Sequence, residues 1–352
     1  MVQEQTTFIP VNVITGFLGS GKTTLLQRLL AAPQVSDTAV LVNEFGEVGL
    51  DHHLLQQLDD EIVLLQSGCL CCTIRGDLRA AMRDLYAKRE RGEIVPFRRL
   101  VIETTGLADP VPILSTIMTE PVLRHHFRLG NVVTTVDAVN GLTNLERQPE
   151  SVKQAALADR VVITKTDIAD GIMVRELSRR LEQLNPSAPQ LQTAPSVAID
   201  PDLLLTRDLY DLHGKAEEVR SWLAIERREA GTPAPHFHHF DLNRHDARIH
   251  AFCLRFQRPL DWTAFGIWLA MLLHCHGSDI LRVKGLLNIG ANSGPVVIHG
   301  VQHLVHPPDH LPAWPDDDRS SRVVFIVRGL SRDIIERSLA AFALEAAEAQ
   351  LV

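Results

Sequence analysis

Three of the five cysteines, Cys69, Cys71 and Cys72, fall within four positions in SGCLCCT (67–73), while Cys253 and Cys275 lie far along the chain. Clustered thiolates suit Zn2+ or another borderline-soft divalent ion. A structural zinc site uses four protein ligands. Here the fourth position is either open or filled by a carboxylate from a neighbouring loop, and an open position lets metal pass to another protein by ligand exchange. Two blander readings compete. Cys69 and Cys72 have the spacing of a thioredoxin-like redox pair, without the surrounding chain pattern. Alternatively, the thiols pack as small apolar groups. The segment follows EIVLL (61–65) and precedes the helical pattern RGDLRAAMRDLYAKR (75–89). The cysteines are therefore expected on a strand-to-helix turn, where a helix N-terminus favours thiolate.

A second constellation is GFLGSGKT (16–23), which satisfies G-x-x-x-x-G-K-[ST]. The β-rich run FIPVNVIT (8–15) precedes it and the helical TTLLQRLLA follows, which is the context a phosphate loop requires. Gly16, Gly19 and Gly21 let backbone N–H groups turn inward, and Ser20 and Thr24 complete the cradle at a helix N-terminus. Lys22 is placed to reach the outer phosphates as a catalytic group, and the Thr23 hydroxyl to ligate Mg2+. TKTD (164–167) follows the strand-like RVVI. The Asp167 carboxylate can accept two hydrogen bonds from the donor edge of guanine, which adenine lacks, and Lys165 would lie along the base plane; the nucleotide is therefore expected to be GTP. VIETTG (101–106) is another strand ending in an acid. Glu103 is placed to hold a magnesium-bound water or orient the attacking one, and Gly106 to admit backbone close to the γ-phosphate. The simpler alternative is that Glu103 caps its loop.

The elements that must carry these groups are legible as a pattern. The chain has 352 residues, 45% hydrophobic and 22% charged, enough for two domains. TAVLV (38–42), EIVLL (61–65), RRLVIE (98–103), NVVTTVDA (131–138) and RVVITK (160–165) are short apolar runs. Helical patterns such as SVKQAALAD and IMVRELSRRLEQL follow the later ones. That alternation predicts a three-layer α/β domain with a mainly parallel sheet over 1–213. Residues 214–247 are polar, carry a TPAP break and include His236, His238, His239 and His245; they read as a linker. HFHHFDLNRH is either a metal-acquiring arm or a solvated surface. Over 248–352, RIHAFCLRFQ, GPVVIHGVQHLV and RVVFIVRG read as strands, and DWTAFGIWLAMLLHC and SRDIIERSLAAFALEAAEAQ as helices, giving a smaller α+β domain. His274 and His276 end a helix, where histidine is favoured electrostatically. A packing or surface role is expected for His299 and His303.

The net charge of −8 gives no support to general nucleic-acid binding. MVQEQTTFIP lacks the flank and apolar run of a signal peptide, and TAFGIWLAMLLHC is shorter than the ~20 residues a bilayer needs. A cytoplasmic protein with neither nucleic-acid nor membrane partner is expected. Disulfides are rare in that compartment, which turns the cysteine cluster toward metal or redox chemistry.

GFLGSGKTT, NEFGEVGLD, GCLCC, ETTGLADP, VDAV and TKTD occur in the order seen in the CobW family of GTPases, and RVKGLL and VIHGVQHL resemble that family's C-terminal domain. The resemblance implies a phosphate-loop GTPase of the class that includes nickel-inserting accessory GTPases. It also implies metal delivery, with members associated with zinc, with cobalt in cobalamin synthesis, or with nitrile hydratase activation. NEFGEVG (43–49) resembles a switch region; Glu47 there is the first candidate for the fourth ligand and Glu44 the second. Many relatives carry an acid before the asparagine, where this chain has Val42. The function expected is a GTP-driven metallochaperone, zinc most readily and Co2+ as an alternative, serving a metal-requiring client protein. Assembly as a homodimer stays open. No catalytic glutamine or arginine finger is evident, so slow intrinsic turnover is expected. A non-catalytic metal buffer and a nucleotide-dependent redox switch are the rivals.

Overall fold

The computed structural model describes residues 8–42, 55–59, 62–65, 70–73, 77–206, 249–290 and 294–349. The chain divides into two compact units, Met1–Ser178 with Gln190–Tyr210 and Arg179–Pro189 with Asp211–Val352.

The first unit runs β1 (Ile9–Gly16), α1 (Lys22–Leu30), β2 (Thr38–Val42), β3 (Leu55–Asp59), β4 (Ile62–Leu65), β5 (Leu70–Thr73), α2 (Leu78–Glu90), β6 (Arg99–Glu103), α3 (Val111–Thr119), β7 (Phe127–Asp137), α4 (Gly141–Arg147), α5 (Pro149–Leu157), β8 (Arg160–Thr164), α6 (Gly171–Leu184, whose last turns fall in the second unit) and β9 (Gln190–Gln192). Its sheet has the order β3, β4, β5, β2, β6, β1, β7, β8, β9. Every pairing from β5 to β9 is parallel. β1, β2 and β6 are buried along their whole length. That is why IPVNVITG, TAVLV and RLVIE show no alternation: both faces of such a sheet are covered. Leu25 and Leu29 of α1 close one side of the core against Ile14, Val40, Val101 and Val133. The phosphate-loop α/β fold expected from the sequence is the fold observed.

Two expectations around the cysteines are corrected. EIVLL supplies β4, which is antiparallel to β5 and to β3, so it is not one of the parallel strands. LCCT is itself a strand, β5, paired in parallel with β2. Cys71 and Cys72 therefore lie on a strand and not on a strand-to-helix turn. The α2 N-terminus begins only at Leu78, capped by Asp77, which removes the helix-terminus argument for lowering their thiol pKa values. Four residues suffice here because β2 already offers an edge to pair with. Cys69, Glu44 and Glu47 lie outside the described residues, as does the 214–247 linker.

The second unit contains β10 (Ile249–Phe256), α7 (Trp262–His276), β11 (Ile280–Leu287), β12 (Val296–Val301), β13 (Leu304–Val305), β14 (Asp309–His310), β15 (Ser321–Arg328) and α8 (Arg332–Ala349). Its sheet has the order β10, β15, β11, β12, β13, with β14 also on β12, and all its pairings are antiparallel. Phe265, Trp268, Leu269 and Leu273 of α7 pack with Leu254, Val283, Phe325 and Ile335, and the Trp268 indole donates to Ser338 Oγ at 3.0 Å. Arg322 is 1% exposed and is neutralised by Asp316 and Asp318, as a buried cation must be. Among the described residues, no helix is long and apolar enough to cross a membrane.

Candidate nucleotide site

Four neighbouring strands deliver the site. Gly16, Glu103, Asp137 and Thr164 stand at the C-terminal ends of β1, β6, β7 and β8, the side of an open α/β sheet where ligands bind.

The phosphate loop leaves β1 through Gly16, with φ 143, and passes Gly19 and Gly21 with φ of 70 and 91. A β-carbon on Gly16 would lie 2.3 Å from Thr135 Oγ1 and 2.7 Å from Ser20 Oγ, so only glycine fits that turn. Hydroxyls brace the loop from beneath. Ser20 Oγ and Thr135 Oγ1 share a hydrogen bond of 2.6 Å, and Thr164 Oγ1 donates to Ser20 O at 2.7 Å. Gly21 is the N-cap of α1, without a side-chain cap, which leaves the first N–H groups of the helix for phosphate oxygens. Lys22 is buried and its Nζ donates to Phe17 O at 3.2 Å, which folds the ammonium back over the loop. Thr24 is exposed.

Thr23 Oγ1 donates to Glu103 Oε1 at 2.5 Å, joining α1 to the end of β6. A hydroxyl and a carboxylate set together are hard oxygen donors, the chemistry that Mg2+ selects. Thr23 would ligate the ion, with Glu103 beside it. The segment after Glu103 is held on both sides. Thr104 Oγ1 donates to Thr15 Oγ1 at 2.9 Å, and the Gln154 amide of α5 donates to Gly106 O at 3.1 Å and Ala108 O at 3.0 Å. Lys153 pairs with Asp109 at 2.5 Å. A β-carbon on Gly106 would lie 2.7 Å from Leu18 N, so this glycine allows the 103–110 loop to lie against the phosphate loop itself.

At the far end, Lys165 Nζ donates to Asp137 Oδ2 at 2.6 Å. Burial pushes the Asp137 carboxyl up, but hydrogen bonds from Lys165, Asn140 and Val139 and the Lys165 charge outweigh it and hold it below the usual carboxylate value. Asp167 is exposed, with no hydrogen bond or ion pair to the described residues. Its carboxylate therefore stands open to solvent. Thr166 Oγ1 donates to Thr193 O at 3.1 Å, which brings the turn after β9 beside TKTD.

The described residues proposed for the nucleotide thus lie together at the C-terminal end of the sheet, over β6, β1, β7 and β8. Gln154 and Thr193 were not found from sequence. Gln154 had a signal, a polar position in the apolar face of SVKQAALAD; Thr193 had none. Among the described residues no group of three histidine, cysteine or acidic side chains could hold a metal ion.

Residues 10–192 match the family described as CobW/HypB/UreG, nucleotide-binding domain, and residues 249–343 match the cobalamin synthesis protein cobW C-terminal domain. The chain is 33% identical over 332 residues to the zinc chaperone YjiA of Escherichia coli (strain K12), covering 94% of this chain and 98% of that protein. It is 27% identical over 355 residues to the zinc-regulated GTPase metalloprotein activator 1 of Schizosaccharomyces pombe, covering 92% and 83%. The zinc-bound crystal structure of YjiA GTPase from E. coli superposes with a TM-score of 0.69 at 30% identity, over 95% of this chain and 99% of that one. A zinc-bound triple mutant of YjiA gives a TM-score of 0.72 at 31% identity, over the same shares. With both domains matched around an intact phosphate loop, the chain belongs to the CobW family of phosphate-loop GTPases.

Proposed function

We propose that this chain is a GTP-hydrolysing zinc metallochaperone acting in the cytoplasm. The observation that carries the hydrolytic part of the reading is the Thr23–Glu103 hydrogen bond, which keeps a Mg2+-type oxygen pair assembled next to Lys22 in the chain; the zinc part is supported by the likeness to the zinc chaperone YjiA. GTP binds with its phosphates on the N–H groups of Gly19–Thr24 and its base against Lys165 and Asp167. Mg2+, held by Thr23 with Glu103 beside it, would supply charge neutralisation for the transferring phosphoryl. Glu103 orients water, and Lys22 and the loop N–H groups stabilise charge on the transferring phosphoryl. Gly106 and its loop report the γ-phosphate, as switch segments do.

Zinc is the cargo, taken up at the segment that carries Cys69, Cys71 and Cys72, with Glu47 as the first choice of a carboxylate ligand, and it passes to a metal-requiring client. The strand register supports coupling. Val42 of β2 pairs with Thr73 on one side and Glu103 on the other, so the cysteine strand lies two strand spacings, about 10 Å, from the hydrolytic carboxylate. Co2+ fits the same donors. Residues 214–247 join the GTPase domain (1–213) to the C-terminal domain (248–352). Neither nucleic acid nor membrane is a partner in this reading.

Lys22→Ala tests this reading against a passive metal buffer. A chaperone loses nucleotide-dependent transfer of zinc to an acceptor chelator while still binding zinc. A buffer transfers zinc as the wild type does.

A further inference from the structure

We propose that Asp137 is a positioning residue of the base site, fixing the Lys165 side chain where it flanks guanine. The inference deepens the GTP reading above and rests on it.

Asp137 ends β7 and is 4% exposed. Both of its oxygens are engaged. Oδ1 accepts from Val139 N at 2.7 Å and Asn140 N at 3.4 Å, while Oδ2 accepts from Asn140 Nδ2 at 3.1 Å and Lys165 Nζ at 2.6 Å. The carboxylate is therefore fixed by its own loop, and only the lysine partner comes from another element.

Lys165 needs such a partner. It has φ 58, the left-handed region that a β-carbon disfavours, and its side chain is 37% exposed. A lysine stem carries several rotatable bonds, and ordering it costs entropy. An ion pair already made to a buried, rigid carboxylate removes that cost before the base arrives. Asp137 and Thr164 are also direct register partners, and Ala138 N donates to Thr164 O at 2.9 Å. Thr164 in turn holds Ser20 O of the phosphate loop. The base clamp and the phosphate cradle thus share one hydrogen-bonded frame, with Asp137 as its outer corner.

The role assigned is affinity, not chemistry: the ammonium is held beside the base and away from the transferring phosphoryl. Asp137→Asn is expected to raise the GTP KM and the Kd for fluorescent GDP roughly tenfold, the scale of a charge-assisted hydrogen bond, with kcat within about twofold. Asp137→Glu, which keeps the charge, should recover part of the loss. In a Lys165→Met background, Asp137→Asn should add less than about twofold, because both changes remove one interaction. Inorganic triphosphate, which has no base, should bind wild type and Asp137→Asn alike. An unchanged Kd, effects that multiply with Lys165→Met, or equal loss of triphosphate binding would overturn the assignment. A wild type that does not prefer GDP over ADP would instead remove the guanine reading itself.

Discussion

Thr23 and Glu103, 80 residues apart in sequence, meet in a hydrogen bond of 2.5 Å between the first turn of α1 and the end of β6. The contact exists because β1 and β6 are direct parallel neighbours, with Ile14 opposite Glu103. Glu103→Gln keeps the shape and removes the charge. Its kcat for GTP should fall by about a hundredfold or more, while GDP binding without Mg2+ changes only a few-fold. Steady-state phosphate release and a GDP titration read the two quantities separately.

Gly106→Ala places a β-carbon 2.6–2.8 Å from the backbone and side chain of Leu18. The neighbour is backbone and cannot swing aside, so the loop must move off the phosphate loop. A loss of about 1–3 kcal/mol in stability is expected, with a raised KM for GTP. Thermal denaturation with and without GDP checks it.

The depressed Asp137 carboxyl sets a pH dependence of known sign. Its folded-state value lies below the unfolded one, near ~3.9. The stability it contributes is therefore complete above that value and is lost as the pH falls through the folded value. The difference in melting temperature between wild type and Asp137→Asn should be flat from about pH 5 to pH 8 and shrink toward pH 3.

Arg322 makes the corresponding case in the second unit. Removing both Asp316 and Asp318 leaves a buried guanidinium without these carboxylates and should cost about 3–5 kcal/mol. Arg322→Met, which removes the charge as well, should cost much less. Calorimetric unfolding of the full chain distinguishes the two.

The residues of the candidate nucleotide site stand out in the sequence because their chemistry is local. Gly16 to Thr23 is one unbroken motif between a strand and a helix, and Glu103 and Asp167 each follow an apolar run. What sequence could not supply was pairing between distant segments. Asp137 stood in the sequence only as part of VDAV, and nothing in its spacing from Lys165 announces a 2.6 Å contact. Gln154 shows in the sequence only as a polar interruption, because the loop it holds lies nearly fifty residues away. LCCT reads as a strand-to-helix turn because it stands between EIVLL and the pattern RGDLRAAMRDLYAKR, whereas an available β2 edge makes four residues a strand. LQQLD gives no strand signal because its two adjacent glutamines hide any alternation. QLQ gives none either, because three residues carry no periodicity.

GTP control of zinc affinity is the central claim, and a zinc competition titration tests it most directly. Zn2+ affinity would be compared with GDP bound and with a non-hydrolysable GTP analogue plus Mg2+ bound, with Cys71→Ser as control. A gated carrier gives a several-fold difference between the two nucleotide states, and the affinity falls in Cys71→Ser. Linkage requires zinc to change the analogue's affinity relative to that of GDP by the same factor. Tight zinc binding that is identical in both states, or unchanged in Cys71→Ser, would contradict it.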